Sequence, residues 1–346
     1  MSAWLPTAPC TPRDCSRHAG PAVSTAAGAV RLLRGIPLVL CGAILAPLLA
    51  PLPPGVRDRL TRSWSRAVLR AFGLRVTVRG APGSGPADAL APRGAGVLVV
   101  ANHISWLDIP LLAVVFPGRM LAKSEIRRWP VLGALAARGG TLFVERERLR
   151  ALPDAVRTLS AALRAGSRVI AFPEACTWCG REQGRFTSAV FQAAVDAGAE
   201  VRPVRITYRS PDGTSSGAPA FVGDDTLPAS LWRVVAAGGL TAELTLLPPI
   251  PAGPRTDRRA LARTARHAIA HGASGHGGTP GHGGDAGSGA AMPGAEPYPG
   301  VDAGPRQPPR PTQTAVACVS ANRPASSVHQ CVNSIRAAAS SDRTRS

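Results

Sequence analysis

Lysine is all but missing from this 346-residue chain: Lys123 is the only one, and the formal charge of +19 rests on arginines scattered from end to end. Charge spread this evenly favours any anionic surface, lipid headgroups and nucleic acid alike, and selects neither. Aromatic residues are scarce too, at 4%, and the chain has no helix-turn-helix, zinc-finger or RNA-binding motif, so no nucleic-acid partner is expected. The cysteines form no even, regularly spaced set: Cys10, Cys15, Cys41, Cys176, Cys179, Cys318 and Cys331 are scattered over tails, an apolar segment and one loop. That pattern excludes the disulfide framework of a small secreted domain and points to a reducing compartment. A cleavable leader is not expected either, because the first apolar run begins late, at Gly35.

What remains divides into four stretches. Residues 1–28 mix Pro, Ser, Ala and Arg without a hydrophobic period and are expected to be disordered. Residues 272–346 are rich in Gly, His, Pro and Ser and read as a low-complexity tail, in which His276 and His282 hold metal weakly at most. Between these ends lie about 240 residues, enough for one sizeable core. Residues 29–72 read as a membrane-associated helical segment. Gly35 to Val56 carries no charge over about 22 residues, roughly the length that crosses a bilayer. Pro37, Pro47, Pro51, Pro53 and Pro54 interrupt it, and each removes a backbone donor and kinks or stops a helix. Arginines flank both sides, so the positive-inside rule gives no orientation. A spanning helix, a kinked re-entrant or interfacial helix, and a buried helix of a soluble domain all fit. Leu60 to Phe72 then has the pattern of a basic amphipathic helix, with Trp64, Val68 and Leu69 on one side.

Residues 73–271 alternate apolar strands with helical stretches. Strands are expected at Leu74 to Arg79, Gly96 to Ala101, Arg119 to Ala122, Thr141 to Val144, Arg168 to Phe172 and Val201 to Tyr208, with later ones at Phe221 and Ala242 to Leu247. Helices are expected near Pro153 to Arg164, Ser188 to Ala197 and Arg258 to Ala270. This alternation predicts an α/β domain, a mixed and mostly parallel sheet flanked by helices.

The chemistry concentrates after the second strand, in Asn102-His103-Ile104-Ser105-Trp106-Leu107-Asp108. Ser105 and Asp108 form a Ser-x-x-Asp helix start, which lets the carboxylate fold back toward His103. A carboxylate on imidazole fixes its tautomer and stabilises the imidazolium, which makes a general-base dyad. Spacing alone supports equally a loop histidine bonded beside a helix cap. Glu174, after Phe172-Pro173, projects from the carboxyl edge of a strand, where open α/β sheets hold ligands; an ordinary strand-ending turn fits as well. Arg146 closes another strand and has the geometry to clamp a phosphate, although solvated arginines are the commoner reason for such a run. Cys176-Thr177-Trp178-Cys179 is a lone C-x-x-C pair, with no second pair to complete a zinc set and no thioredoxin-like helix behind it, so no metal is expected. Gly213-Thr214-Ser215-Ser216-Gly217 fits G-x-S-x-G, but it sits in a turn and joins no strand to a helix.

Taken together, these segments resemble the glycerolipid acyltransferase family that includes the 1-acylglycerol-3-phosphate O-acyltransferases. The N-H-x4-D block is met by Asn102, His103 and Asp108, the glycine-led strand ending in arginine by Gly140 to Arg146, and the F-P-E-G-T-R-S block by Phe172-Pro173-Glu174-Ala175-Cys176-Thr177-Trp178. Val201-Arg202-Pro203-Val204 matches a fourth, V-P-V-like block, and Lys123-Ser124-Glu125 a K-x-E turn. The resemblance implies transfer of an acyl group from acyl-coenzyme A or acyl carrier protein to the free hydroxyl of a lysolipid, without a cofactor. It makes His103 the general base and Asp108 its orienting partner. Asn102, Gly140, Thr141, Arg146, Phe172, Pro173, Glu174, Ala175 and Thr177 become substrate-binding residues. The acceptor implied is 1-acylglycerol-3-phosphate. The third block departs from the pattern, with Ala for Gly at 175, Cys for Thr at 176, and Thr177 and Trp178 where arginine and serine are usual. A lost arginine opens the alternative of a lyso-aminolipid acceptor such as lyso-ornithine lipid, with Arg181 and Arg185 near enough in sequence to substitute. The resemblance also implies a cell-membrane location with the catalytic domain on the cytoplasmic side. A serine lipid hydrolase using Ser215 and a non-catalytic membrane adaptor are the readings from other classes.

Overall fold

The computed structural model describes residues 7–49, 51–80, 96–129, 132–145 and 149–272. The expected tail beyond Gly272 therefore lies outside the described residues, as does Arg146. Nine α-helices are described: α1 (Pro12–Cys15), α2 (Thr25–Leu49), α3 (Pro54–Ala71), α4 (Asp108–Ala113), α5 (Leu132–Arg138), α6 (Leu152–Arg164), α7 (Ala189–Ala197), α8 (Leu227–Ala236) and α9 (Arg258–His271). Seven strands accompany them: β1 (Arg75–Gly80), β2 (Val97–Ala101), β3 (Arg119–Lys123), β4 (Leu142–Val144), β5 (Arg168–Ala171), β6 (Glu200–Arg209) and β7 (Thr241–Leu246). They form one sheet in the order β1-β7-β6-β2-β5-β3-β4. Every pairing is parallel except β6 with β7, as a mixed, mostly parallel sheet requires.

The strand β2 lies at the centre, paired with β5 on one side and β6 on the other. All five of its residues are buried, and the two-residue period of a strand sends them alternately to opposite faces. Val97, Val99 and Ala101 join the core formed with α3, α4 and α8, while Leu98 and Val100 join the core beneath α6, α7 and α9. A strand covered on both faces reads as an unbroken apolar run, which is why Gly96 to Ala101 was legible.

Several expectations need correction. Residues 7–24 are ordered: Cys10 is buried in the core, Val23 N–H donates to the Ala236 carbonyl at 2.9 Å, and Ala22 forms an isolated bridge with Ala237. This segment is held by backbone and polar contacts to the distant C-terminal half, so it needs no hydrophobic period of its own. Phe221 belongs to no strand; its N–H donates to the Ile104 carbonyl at 3.0 Å in an irregular loop. Helix α8 was not anticipated, although Thr226 caps it and Pro228 stands in its first turn.

The apolar stretch resolves into two helices. Helix α2 runs unbroken through Pro37 and Pro47, and the prolines at 51, 53 and 54 lie in the turn to α3, where Pro54 starts the next helix. By length and composition α2 is the one helix among the described residues able to cross a membrane. It does not stand clear of the domain. Gly35 lies directly against the ring of Phe72 and Gly42 against Trp64, close enough that a Cβ at either position would collide. Trp64 Nε1 donates to the Leu38 carbonyl at 3.0 Å, and Arg31 Nη1 donates to the carbonyls of Val235 and Ala237 at 2.8 and 2.9 Å. The opposite face leaves Leu33, Ile44 and Leu48 at 74%, 72% and 65% exposure.

Candidate active site

The site begins where β2 stops. Asn102 extends the ladder with its side chain, donating from Nδ2 to the Ile206 carbonyl at 3.0 Å and accepting the Ile206 N–H on Oδ1 at 2.8 Å. With the amide occupied by β6 the main chain is free to turn away, and His103 is presented at the carboxyl edge of the parallel strands. Asn102 is thus buried and bonded to β6, and acts as a splint for the turn.

Asp108, the first residue of α4, folds back over that turn. Its Oδ2 accepts from His103 Nδ1 at 2.9 Å and from the N–H groups of Ile104 and Ser105 at 2.6 and 2.8 Å. The Ser105 contact is half of a capping box. The other half is absent, since Ser105 Oγ accepts instead from Leu107 N–H at 3.3 Å and the helix opens three residues later than Ser105. Oδ1 accepts the hydroxyl of Tyr208 at 2.7 Å. Four donors therefore converge on a carboxylate with no solvent exposure, the arrangement that keeps a buried charge tolerable. An ionised carboxylate can only accept, so Nδ1 carries the proton and Nε2 keeps its lone pair. Among the described residues nothing bonds Nε2, and the imidazole is 20% exposed. Burial, and then the charge of Asp108, holds the Tyr208 hydroxyl well above its ordinary range, so it remains a donor.

The loop after β5 supplies the other wall. The ring of Phe172 stacks on His103 with centroids 4.0 Å apart and planes 13° from parallel. Glu174 is 1% exposed; its Oε2 accepts the His103 N–H at 2.7 Å and its Oε1 the Gly184 N–H at 2.9 Å. Burial pushes this carboxyl up to about 7 against those two bonds, which favour the ionised form. Ala175 follows at φ 63°, the one positive φ outside glycine among the described residues. The Trp178 N–H donates to the His103 carbonyl at 2.8 Å, so the loop grips the histidine backbone from a second side.

Of the nine residues expected to bind substrate, the eight that are described are not gathered at one point. Phe172 and Glu174 touch His103, but as packing surface and backbone anchor. The Pro173 carbonyl accepts from Thr187, and the Thr177 hydroxyl is spent on the Phe221 carbonyl. Gly140 and Thr141 lie in the turn before β4, at the far end of that strand from the edge that carries His103, and the Gly140 carbonyl accepts from Arg119 Nε at 2.8 Å. Arg181 and Arg185 are exposed. Tyr208 was missed: it sits 100 positions from Asp108 and its alternation on β6 reads only as a core residue. His18 was missed as well, and pins the ordered N-terminal segment by bonding Ser216 Oγ at 2.9 Å and the Gly238 carbonyl at 3.0 Å. Among the described residues that pair has no carboxylate partner, and Ser215 is exposed in an isolated bridge with Arg209, so the G-x-S-x-G segment builds no triad there.

The family model described as Acyltransferase matches residues 87–207. The 1-acyl-sn-glycerol-3-phosphate acyltransferase of Neisseria meningitidis is 37% identical over 209 residues, covering 60% of this chain and 78% of that protein. The lyso-ornithine lipid O-acyltransferase of Pseudomonas aeruginosa is also 37% identical, over 234 residues, covering 66% of this chain and 81% of that protein. Among solved structures, the 1-acyl-sn-glycerophosphate (LPA) acyltransferase PlsC of Thermotoga maritima superposes with a TM-score of 0.46 at 20% identity, over 70% of this chain and 95% of that one.

Proposed function

The chain belongs to the glycerolipid acyltransferase family, and on that premise we propose that it moves a fatty acyl group from a thioester, acyl-coenzyme A or acyl carrier protein, to the free hydroxyl of a lysolipid held at a membrane surface. The observation that carries this reading is the 2.9 Å contact of His103 Nδ1 with Asp108 Oδ2, which leaves Nε2 open at the sheet edge. Nε2 takes the proton of the acceptor hydroxyl as its oxygen attacks the thioester carbonyl. The new C–O bond forms, the C–S bond breaks, and the imidazolium returns the proton to the departing thiolate. Asp108 balances the charge while it exists, and Tyr208 with two backbone N–H groups keeps Asp108 in place. A positioned general base of this kind contributes roughly 10²–10⁴-fold. The step uses only the two substrates and the dyad, and no acyl-enzyme or cofactor.

The acceptor we favour is 1-acylglycerol-3-phosphate. A lyso-ornithine lipid is the second reading, favoured by Thr177 and Trp178 standing where the family's block has arginine and serine, and by the relatives of both kinds at the same identity. The outward apolar face of α2 would bring the site to the bilayer, with the catalytic domain on the cytoplasmic side. The test is incubation of the protein with labelled acyl-coenzyme A and a panel of lysolipids. Labelled phosphatidic acid or diacylated ornithine lipid is expected from the wild type. His103→Ala should lose all but the background rate while keeping its circular dichroism; undiminished transfer by that variant removes the reading.

A further inference from the structure

The N-terminal segment brings two cysteines to the loop that carries Glu174. The sulfurs of Cys10, Cys15 and Cys179 lie within 4.8 Å of one another, with Cys10 and Cys179 buried and Cys15 half-buried. Cys10 and Cys15 are five positions apart, but Cys179 is 164 positions from the nearer of them, so proximity along the chain does not explain why it meets them. Each also receives a backbone donor. The N–H of Cys179 points to the sulfur of Cys10, that of Thr11 to Cys15, and those of Arg181 and Glu182 to Cys179. The last two reach one sulfur because Gly180 turns the chain at φ +84°. Such outer contacts orient the ligands of thiolate metal centres.

We propose that Cys10, Cys15 and Cys179 bind one soft divalent cation, Zn²⁺ by fit, and so clip the N-terminal segment to the loop beside His103. Zinc–sulfur bonds of about 2.3 Å in a tetrahedral site set the sulfurs about 3.8 Å apart, a small contraction from the spacing present. Binding releases three protons, one from each thiol, and the metal neutralises most of the charge created. Three mutually adjacent sulfurs suit a metal better than a disulfide, which would use two and strand the third. Among the described residues no fourth histidine, cysteine or carboxylate joins the group, so the fourth position goes to a water or small anion. The clip would act close to the chemistry, since Trp178, one residue before Cys179, bonds the His103 carbonyl.

The probe is Co²⁺, added to the full chain purified under reducing conditions and stripped with chelator. The wild type should take up about one equivalent, with the intense sulfur-to-metal absorption of thiolate ligation, and Zn²⁺ should displace it. Cys10→Ser, Cys15→Ser and Cys179→Ser should each weaken uptake at least about tenfold, while Cys41→Ser leaves it unchanged. In the wild type, Zn²⁺ should also protect these three thiols from alkylation while Cys41 reacts, a reading that requires no variant to fold. Absorption that survives Cys179→Ser, equal alkylation with and without Zn²⁺, or a disulfide among the three in the reduced preparation overturns the proposal.

Discussion

The hydroxyl of Tyr208 donates to Oδ1 of Asp108 at 2.7 Å, on the side of the carboxylate opposite the imidazole of His103. The carboxylate is thereby fixed from both ends, and its plane cannot rotate without losing a bond. Both Tyr208 and Asp108 are buried, so no water replaces the hydroxyl if it is removed. Tyr208→Phe is expected to lower the unfolding free energy by about 1.5–3 kcal/mol, the usual value of a hydrogen bond to a buried charged group. It should also lower kcat with little change in KM, because the phenol touches the partner of the base and not the substrate. Denaturant unfolding and steady-state kinetics on the same variant check both; a KM effect alone would place Tyr208 in substrate binding.

The contrast between Asp108 and Tyr208 shows what a sequence can disclose about such a site. His103 and Asp108 are five positions apart across a single turn, and a helix-start signal between them is enough to bring them together. Tyr208 reaches the same carboxylate only through the register that sets β6 beside β2, which no local pattern encodes. The strands were legible because burial on two faces or one leaves unbroken or alternating apolar runs. The ordered N-terminal segment was not, since Cys10 and His18 are held by partners near Cys179 and Gly238. Asn102, Glu174 and Thr177 were read as facing substrate, but each spends its polar atoms on backbone groups. Motif position alone does not separate a residue that binds substrate from one that holds the residue that acts.

Ala175 holds a backbone conformation that costs an L-residue about 1–2 kcal/mol and glycine almost nothing. Its N–H still bonds the Phe172 carbonyl at 3.1 Å, so the turn is imposed by the loop and tolerated by the alanine. Ala175→Gly should therefore raise stability by about 1 kcal/mol after the extra entropy of glycine in the unfolded chain is subtracted. A rise in the midpoint of denaturation with unchanged slope is the expected result, and a loss of stability would mean that the methyl group contributes packing that outweighs the strain.

Helix α2 turns Leu33 and Ile44 outward while Gly35 and Gly42 face Phe72 and Trp64. If that face meets lipid, each of the two side chains contributes about 1.5–3 kcal/mol on burial, and Leu33→Ser with Ile44→Ser should weaken partitioning to anionic vesicles by roughly 10²-fold or more. Turnover of a lysolipid embedded in vesicles should fall with it, whereas turnover of a short-chain, water-soluble acceptor should not. Equal loss on both acceptors would trace the defect to the fold instead.

Glu174 gives stability a pH dependence of defined sign. Its carboxyl is raised from 4.5 to about 7 in the folded chain, by burial first and by the nearby charge of Asp108 among the lesser causes. A group that holds its proton more tightly when folded stabilises the fold where both states are protonated and loses that contribution as the unfolded chain ionises first. The contribution is thus complete below about pH 4.5 and is lost progressively up to about pH 7, a change of order 3 kcal/mol. Glu174→Gln removes the titration. It also leaves one of the N–H groups of His103 and Gly184 facing an amide nitrogen, so it is less stable than the protonated wild type by about one hydrogen bond. The stability of the wild type minus that of Glu174→Gln should therefore fall as pH rises from 4.5 to 7, measured by denaturant unfolding at several pH values. A difference that rises over this window would mean that the two backbone donors outweigh burial, and that Glu174 stands ionised beneath the dyad throughout.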